Sequence, residues 1–391
     1  MGALALLTGC ASLGTGGVSP ETFGWLGSET SARPSVHSGI LAVSWTHRIT
    51  RDDPRSGPYA PVEHAQPALD PSRDRVYVGT TEGLLYAMDA SGRRRASYDV
   101  GASIEATPAI DRRRGVLYVA GDDGVIHSLR GRDLSLRWTE TAGGPVRQPP
   151  LLVDDTLYVV TEMDQVVAFA ADSGQLLWSY HREPIDGFSI SGHAGLAYVD
   201  DRILTGCSDD TVVSLDGGDD SLVWERDTSV DVDPNAGGAP RFLDVDTTPL
   251  VVGDKLYAAS FAAGLYELEL SSGSVLRREA NLTGGLGLAT AGDLLLMTSA
   301  DEGALGLDRD SLEVRWHHPI THGYPSAPRV ARGLLFLGQS RGALLALEAR
   351  TGREVARLSS GTGFGAAPSV LNGRGFALSN GGSLFAFDAG G

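Results

Sequence analysis

Basic residues are scarce in this chain: 32 Lys and Arg stand against 49 Asp and Glu, a formal charge of −17 at pH 7 over 391 residues. Broad nucleic-acid binding needs a basic footprint, and so does adhesion of a folded surface to anionic lipid. Both are excluded as work of the folded body. Cysteine is nearly absent, with only Cys10 and Cys207, so no disulfide framework exists. Cys207 ends the run 202–207 and is expected to be a small buried strand residue, with no His or Lys beside it to make it reactive. No apolar run is long enough for a membrane-spanning helix. Also missing are a G-x-S-x-G elbow, an H-E-x-x-H pair, a Walker loop and a G-x-G-x-x-G following a strand, which removes the commonest routes to enzymatic chemistry.

What the chain has is a repeat, cleanest over residues 149–180, PPLLVDDTLYVVTEMDQVVAFAADSGQLLWSY. Four short runs rich in Val, Leu and aromatics are separated by Asp-Asp, Glu-Met-Asp and Asp-Ser-Gly turns, which reads as four antiparallel strands joined by hairpins. One such sheet is too small to stand alone. The second-strand aromatic or its equivalent recurs at Tyr77, Tyr118, Tyr158, Leu204, Tyr257, Leu296, Phe336 and Phe376. By subtraction the intervals are 41, 40, 46, 53, 39, 40 and 40 residues. A period near 40 with four strands per period is the signature of a β-propeller, and eight positions give eight blades. The fold class expected is therefore all-β, an eight-bladed propeller of four-stranded antiparallel blades.

The blades are expected at about 67–106, 107–148, 149–194, 195–247, 248–287, 288–326, 327–366 and 367–391. The last supplies only three strands. A lone strand over 40–49 (ILAVSWTHRI) is expected to complete it, since closing the ring removes two sheet edges at once. Residues 51–61 then form a loop leading to the first blade. Irregular spacing falls after blades three and four, with the largest excess over 227–242, and insertions of this kind map to loops on one rim where function concentrates. The domain division expected is a signal remnant over 1–9, a flexible tether rich in Gly, Ser, Thr and Pro over 10–39, and the propeller over 40–391.

Few constellations suggest chemistry. His317, His318 and His322 are expected to lie in a solvated blade turn, because adjacent strand residues point to opposite faces and do not converge on a metal. Asp231, Asp233 and Asn235 begin like a calcium loop, but Ala236 and Phe242 stand where that loop needs Gly and Glu. Asp209-Asp210 and Asp219-Asp220 read as solvated turns. Trp138, Trp178, Trp224 and Trp316 share one register in different blades, which predicts packing between neighbouring blades rather than a ligand cage. No metal and no cofactor is expected.

Two resemblances add to this reading. Leu7-Thr8-Gly9-Cys10 resembles the bacterial lipobox, which implies acylation of Cys10 and removal of what precedes it; Ala11 in place of Asp implies the outer membrane. The segment Ala170-Ala171-Asp172-Ser173-Gly174-Gln175-Leu176-Leu177-Trp178 resembles the repeat of quinoprotein-like (PQQ-type) propellers, and Asp244-Val245-Asp246-Thr247-Thr248-Pro249 resembles the D-V-D-T-T-P stretch of the BamB family within them. That resemblance implies a non-catalytic scaffold lipoprotein of the outer-membrane β-barrel assembly (BAM) complex. It faces the periplasm, is held to the membrane through its N-terminal lipid only, and acts as a monomeric subunit of a hetero-complex. Its rim loops would dock the periplasmic POTRA domains of BamA, and blade edges or rim loops would meet unfolded outer-membrane clients. The family's docking patch carries over to Asp244 and Asp246 and to Phe188, Ile190 and Ser191, where Ser191 replaces the family's Arg and loses a forked, charge-assisted contact. Two alternatives stand beside it: a generic extracytoplasmic propeller with another protein partner, and a PQQ-dependent quinoprotein dehydrogenase with calcium, whose vicinal Cys-Cys pair this chain does not have.

Overall fold

The computed structural model describes residues 39–50, 62–182, 193–231 and 244–390. Among them lie 32 β-strands, numbered β1 to β32 in chain order, arranged as eight four-stranded antiparallel sheets. Seven sheets are built from consecutive strands. The eighth has the order β1-β32-β31-β30, with β1 (Val43–Arg48) antiparallel to β32 (Ser383–Asp388). The ring is closed by the N-terminal strand, as the missing fourth strand of the last blade required.

The register explains why the repeat was audible in the sequence. Tyr77, Tyr118, Tyr158, Leu204, Tyr257, Leu296, Phe336 and Phe376 each sit on a second strand, opposite Ala68, Ala109, Leu151, Ala197, Leu250, Ala289, Arg329 and Ser369 of the first. All eight are buried. Their clusters combine residues of successive blades: Tyr118 and Val116 pack with Leu157 and Phe169, and Phe336 with Phe385 and Phe387. The core is thus a series of seams between sheets, which is why one blade cannot fold alone.

The tryptophans close those seams. Trp45, Trp138, Trp178, Trp224 and Trp316 lie on outer strands, and each indole Nε1 donates to a backbone carbonyl of the next blade's hairpin, at Ala90, Ala171, Gly217, Leu270 and Ala349, over 3.0–3.3 Å. Tyr118 and Tyr158 donate to the same carbonyls of Ala171 and Gly217 at 2.9 and 2.7 Å. The indole lies so close over the hairpin that a Cβ on Gly174 would meet Trp138 at 2.8 Å, and Gly174 also has φ +79°, so glycine is required there twice over. In blade five Arg277 replaces the tryptophan. It sits across from buried Glu267, which also pairs with Lys255 at 2.6 Å, and donates to Asp310 O. Each outer strand also carries a one-residue bulge beside this position, which disfavours pairing with another chain.

Two expectations need correcting. Asp210 is not solvated: it is fully buried, because its left-handed position (φ +63°) at the foot of a hairpin turns the side chain inward. His317 and His318 lie on β25 (Val314–His318) rather than in a turn, and they diverge to Glu302 and Glu354. Asp219 and Asp220 are exposed as expected.

Candidate functional site

Strand alternation places two kinds of connection on one rim: the hairpins between second and third strands, and the links that carry the chain into the next blade. The segments 183–192 and 232–243, before blades four and five, lie outside the described residues, and Phe188, Ile190, Ser191, Asp233 and Asn235 with them. Cys10 and the tether likewise fall outside. Of the expected docking residues the structure describes Asp244 and Asp246, and it treats them differently. Asp244 is 1% exposed and Asp246 half-buried.

Both border a polar cleft with room for about one water molecule, lined by Glu162, His193, Cys207, Ser208, Asp244, Val245 and Asp246. Glu162 comes from the rim hairpin of blade three, Cys207 and Ser208 from that of blade four, and the others from the links into blades four and five. Cys207 is buried as expected, at the foot of the hairpin rather than within the strand, and burial pushes its thiol well above the ordinary range, which leaves it inert.

Sequence reasoning missed the feature that organises this rim. In blades one, two and eight the last residue of the hairpin is a glycine with positive φ (Gly83, Gly124, Gly382), and in blades five and six the first residue of the third strand is (Gly264, Gly303), whereas blades three and four end the hairpin on Asp164 (φ +54°) and Asp210 (φ +63°). Asp tolerates this conformation at a cost, and uses it to aim a carboxylate inward. Facing the hairpins is a second periodic position, four residues before each first strand: His64, Glu105, Arg147, His193 and Asp246 in blades one to five. Comparing, from blade to blade, the last hairpin residue and the residue four before each first strand could have found both.

The link position pairs with hairpin acids across the seams, at the second hairpin residue in blade two and the last in blade three. Arg147 Nε lies 2.8 Å from Asp122 and 3.4 Å from Glu105, with a terminal nitrogen 3.7 Å from Glu162. One seam on, His193 Nε2 is 2.7 Å from Asp164 Oδ1 and its Nδ1 is 2.9 Å from Ala194 O. Both ring nitrogens face acceptors, which only the imidazolium satisfies. Burial works against that charge, but the hydrogen bond and charge of Asp164 outweigh it and His193 titrates above its ordinary value. Burial likewise works against the Asp164 carboxylate. His193 and Ser208, whose N–H donates at 2.9 Å and whose hydroxyl also donates, hold Asp164 below its ordinary value.

At the next seam the pattern breaks. Asp246 occupies the place of Arg147 and His193, and the hairpin carboxylate it succeeds is Asp210. Among the described residues neither side-chain oxygen of Asp210 receives a hydrogen bond, and burial raises its pKa against the nearby hydroxyls of Ser260 and Thr228. Burial first, then Asp244, with smaller contributions from Glu162 and Asp210 and against His193, pushes Asp246 up to about 8. Two exposed apolar side chains, Met163 (46%) and Val230 (68%), stand on the same rim in blade three and after blade four. Carboxylates beside exposed apolar anchors suit recognition of a protein surface. Among the described residues no group of three or more His, Cys, Asp or Glu converges to hold a metal ion.

Comparison with known proteins agrees with this architecture. An outer membrane protein assembly factor BamB from Shewanella oneidensis is 28% identical over 262 residues, 66% of this chain and 64% of that protein's length. The crystal structure of BamB from Moraxella catarrhalis superimposes with a TM-score of 0.74 at 20% identity, over 89% of this chain and all of that one. A quinohemoprotein alcohol dehydrogenase from Pseudomonas putida shares the fold at a TM-score of 0.69 and 12% identity, over 92% of this chain and 78% of that one, a likeness of fold alone. The family profile described as outer membrane protein assembly factor BamB matches residues 103–318 and 306–391. The chain belongs to the BamB family.

Proposed function

We propose that this protein is a non-catalytic scaffold of the outer-membrane β-barrel assembly complex, a lipoprotein anchored through Cys10 to the outer membrane and facing the periplasm. Its rim at blades three to five docks the POTRA domains of a BamA-like partner. Phe188 and Ile190 are the proposed apolar contacts, Ser191 stands beside them where the family has Arg, Asp246 is the half-buried acidic contact, and Asp244 a buried support. Unfolded outer-membrane proteins are the proposed clients, and no cofactor takes part.

The observation that carries this reading is that the half-buried Asp246 and the exposed Met163 and Val230 share one rim, within a chain of this family. Affinity purification from detergent-solubilised membranes tests it, with recovery of barrel-assembly components as the expected result. Recovery of unrelated partners would point to a different extracytoplasmic binding role. Asp246→Arg is expected to reduce co-purification at least tenfold with the thermal unfolding of the protein preserved. Asp244→Arg is a poorer probe, because a guanidinium at that buried site would disturb the fold itself.

A further inference from the structure

Three successive seams on the rim can be compared, each joining the hairpin of one blade to the link into the next. In the first, a hairpin acid (Asp122) meets a cation (Arg147). In the second, a hairpin acid (Asp164) meets a cation (His193). In the third, a hairpin acid (Asp210) is followed by another acid, Asp246, so that among the described residues an acid stands where the preceding seams carry a cation. Buried carboxylates are held by a partner, a proton or an external cation.

We infer that docking at this rim is proton-linked: free Asp246 carries a proton in place of the basic group that the preceding seams build in, and a basic side chain of the partner displaces it on binding. The inference rests on the docking reading above and adds its regulation. The groups facing Asp246 support a net negative socket. From its own link comes Asp244, from the blade-three hairpin Glu162, and from the blade-four hairpin Asp210. Among the described residues the nearby cations are already engaged: His193 by Asp164, and Arg147 by Asp122 and Glu105 with Glu162 alongside. Cys207 stays a neutral thiol. The cleft accepts one water-sized group, which matches a lysine ammonium better than the broader, planar guanidinium of arginine. An ammonium set against Asp246 makes the ionised carboxylate the favoured form, so the proton leaves to solvent as the complex forms.

The test is isothermal titration of the whole protein with the POTRA region of the BamA-like partner at pH 7, in buffers of different ionisation enthalpy. The slope of observed enthalpy against buffer enthalpy counts protons. The expected result is release of about one proton per complex, with affinity rising up to about tenfold per pH unit between pH 6 and 7.5. In Asp246→Asn, a permanently uncharged counterpart, the release disappears and binding weakens. Binding of the unaltered protein without proton release overturns the inference and leaves the docking reading standing, and so does release that persists undiminished in Asp246→Asn. No binding in any buffer overturns both. The measurement on the unaltered protein decides the question even if the variant folds poorly.

Discussion

Replacing His193 by Gln probes the best-defined polar seam of the rim. The imidazole is 6% exposed and bound through both nitrogens, to Asp164 and to Ala194 O. A glutamine amide can offer Asp164 one hydrogen bond but no charge. Removing one partner of a buried ion pair costs about 3–5 kcal/mol when nothing replaces it. Asp164 keeps the N–H and hydroxyl of Ser208, so the expected loss is smaller, about 2–3 kcal/mol. With an unfolding entropy of about 2.1 cal/mol/K per residue over the roughly 320 described residues, this lowers Tm by about 3–4 °C. The pH dependence is more diagnostic than the size. The folded pKa of His193 is raised, so its stabilisation is full below the ordinary value of 6.5 and is lost as pH rises through the folded pKa. That of Asp164 is lowered, so its share is present above the ordinary 3.8 and lost as pH falls through the folded pKa. The gap in stability between the two proteins should be widest near pH 5–6 and narrow on either side. Calorimetric or urea unfolding from pH 4 to 9 measures it, and a gap that is independent of pH, or that grows above pH 7, would refute the assignment of His193 as the charged partner.

Asp246→Asn should act in the opposite sense. The folded pKa of Asp246 is raised to about 8, so the advantage of its protonated form is complete below the ordinary 3.8 and is lost as pH rises through about 8. The amide removes that penalty. The variant should be more stable at pH 8–9 by about 2 kcal/mol, a figure reduced from the full shift because the group is half-buried, and its stability curve should be flatter between pH 4 and 8. Unchanged slopes would count against a proton on Asp246. Trp178→Phe keeps most of the buried ring but loses the bond to Gly217 O, which Tyr158 still serves, so a loss of about 1–2 kcal/mol is expected from urea unfolding. Gly174→Ala should cost more than 1 kcal/mol, because the methyl meets Trp138 and the backbone is left-handed there; a neutral result would show that the blade seam is looser than described.

The architecture was legible because every blade repeats the same physical problem. A second-strand aromatic, an Asp-Ser-Gly hairpin and an outer-strand tryptophan all recur at blade period, and the structure joins them through single carbonyls such as Ala171 O. Closure by residues 43–48 followed from counting strands in the last blade. The rim was only half legible. D-V-D-T-T-P drew attention to Asp244 and Asp246, but sequence could not show that one is fully buried and the other half-buried. The charged seams were hidden for a different reason. Asp122, Arg147, Asp164 and His193 lie 25 to 29 residues from their partners, and only the ring brings a hairpin and a link together. Asp210 was misread because an Asp-Asp pair in a turn ordinarily faces water, whereas its left-handed backbone turns this one inward.

The central claim is that this ring works by presenting the rim of blades three to five to a protein partner. A photo-crosslinking residue placed at Met163, exposed on that rim, and in a separate protein at Asp219, exposed on the opposite rim of blade four, tests it directly in intact cells. The account predicts a BamA-sized adduct from position 163 and none from position 219. An adduct from 219 with none from 163 would contradict it.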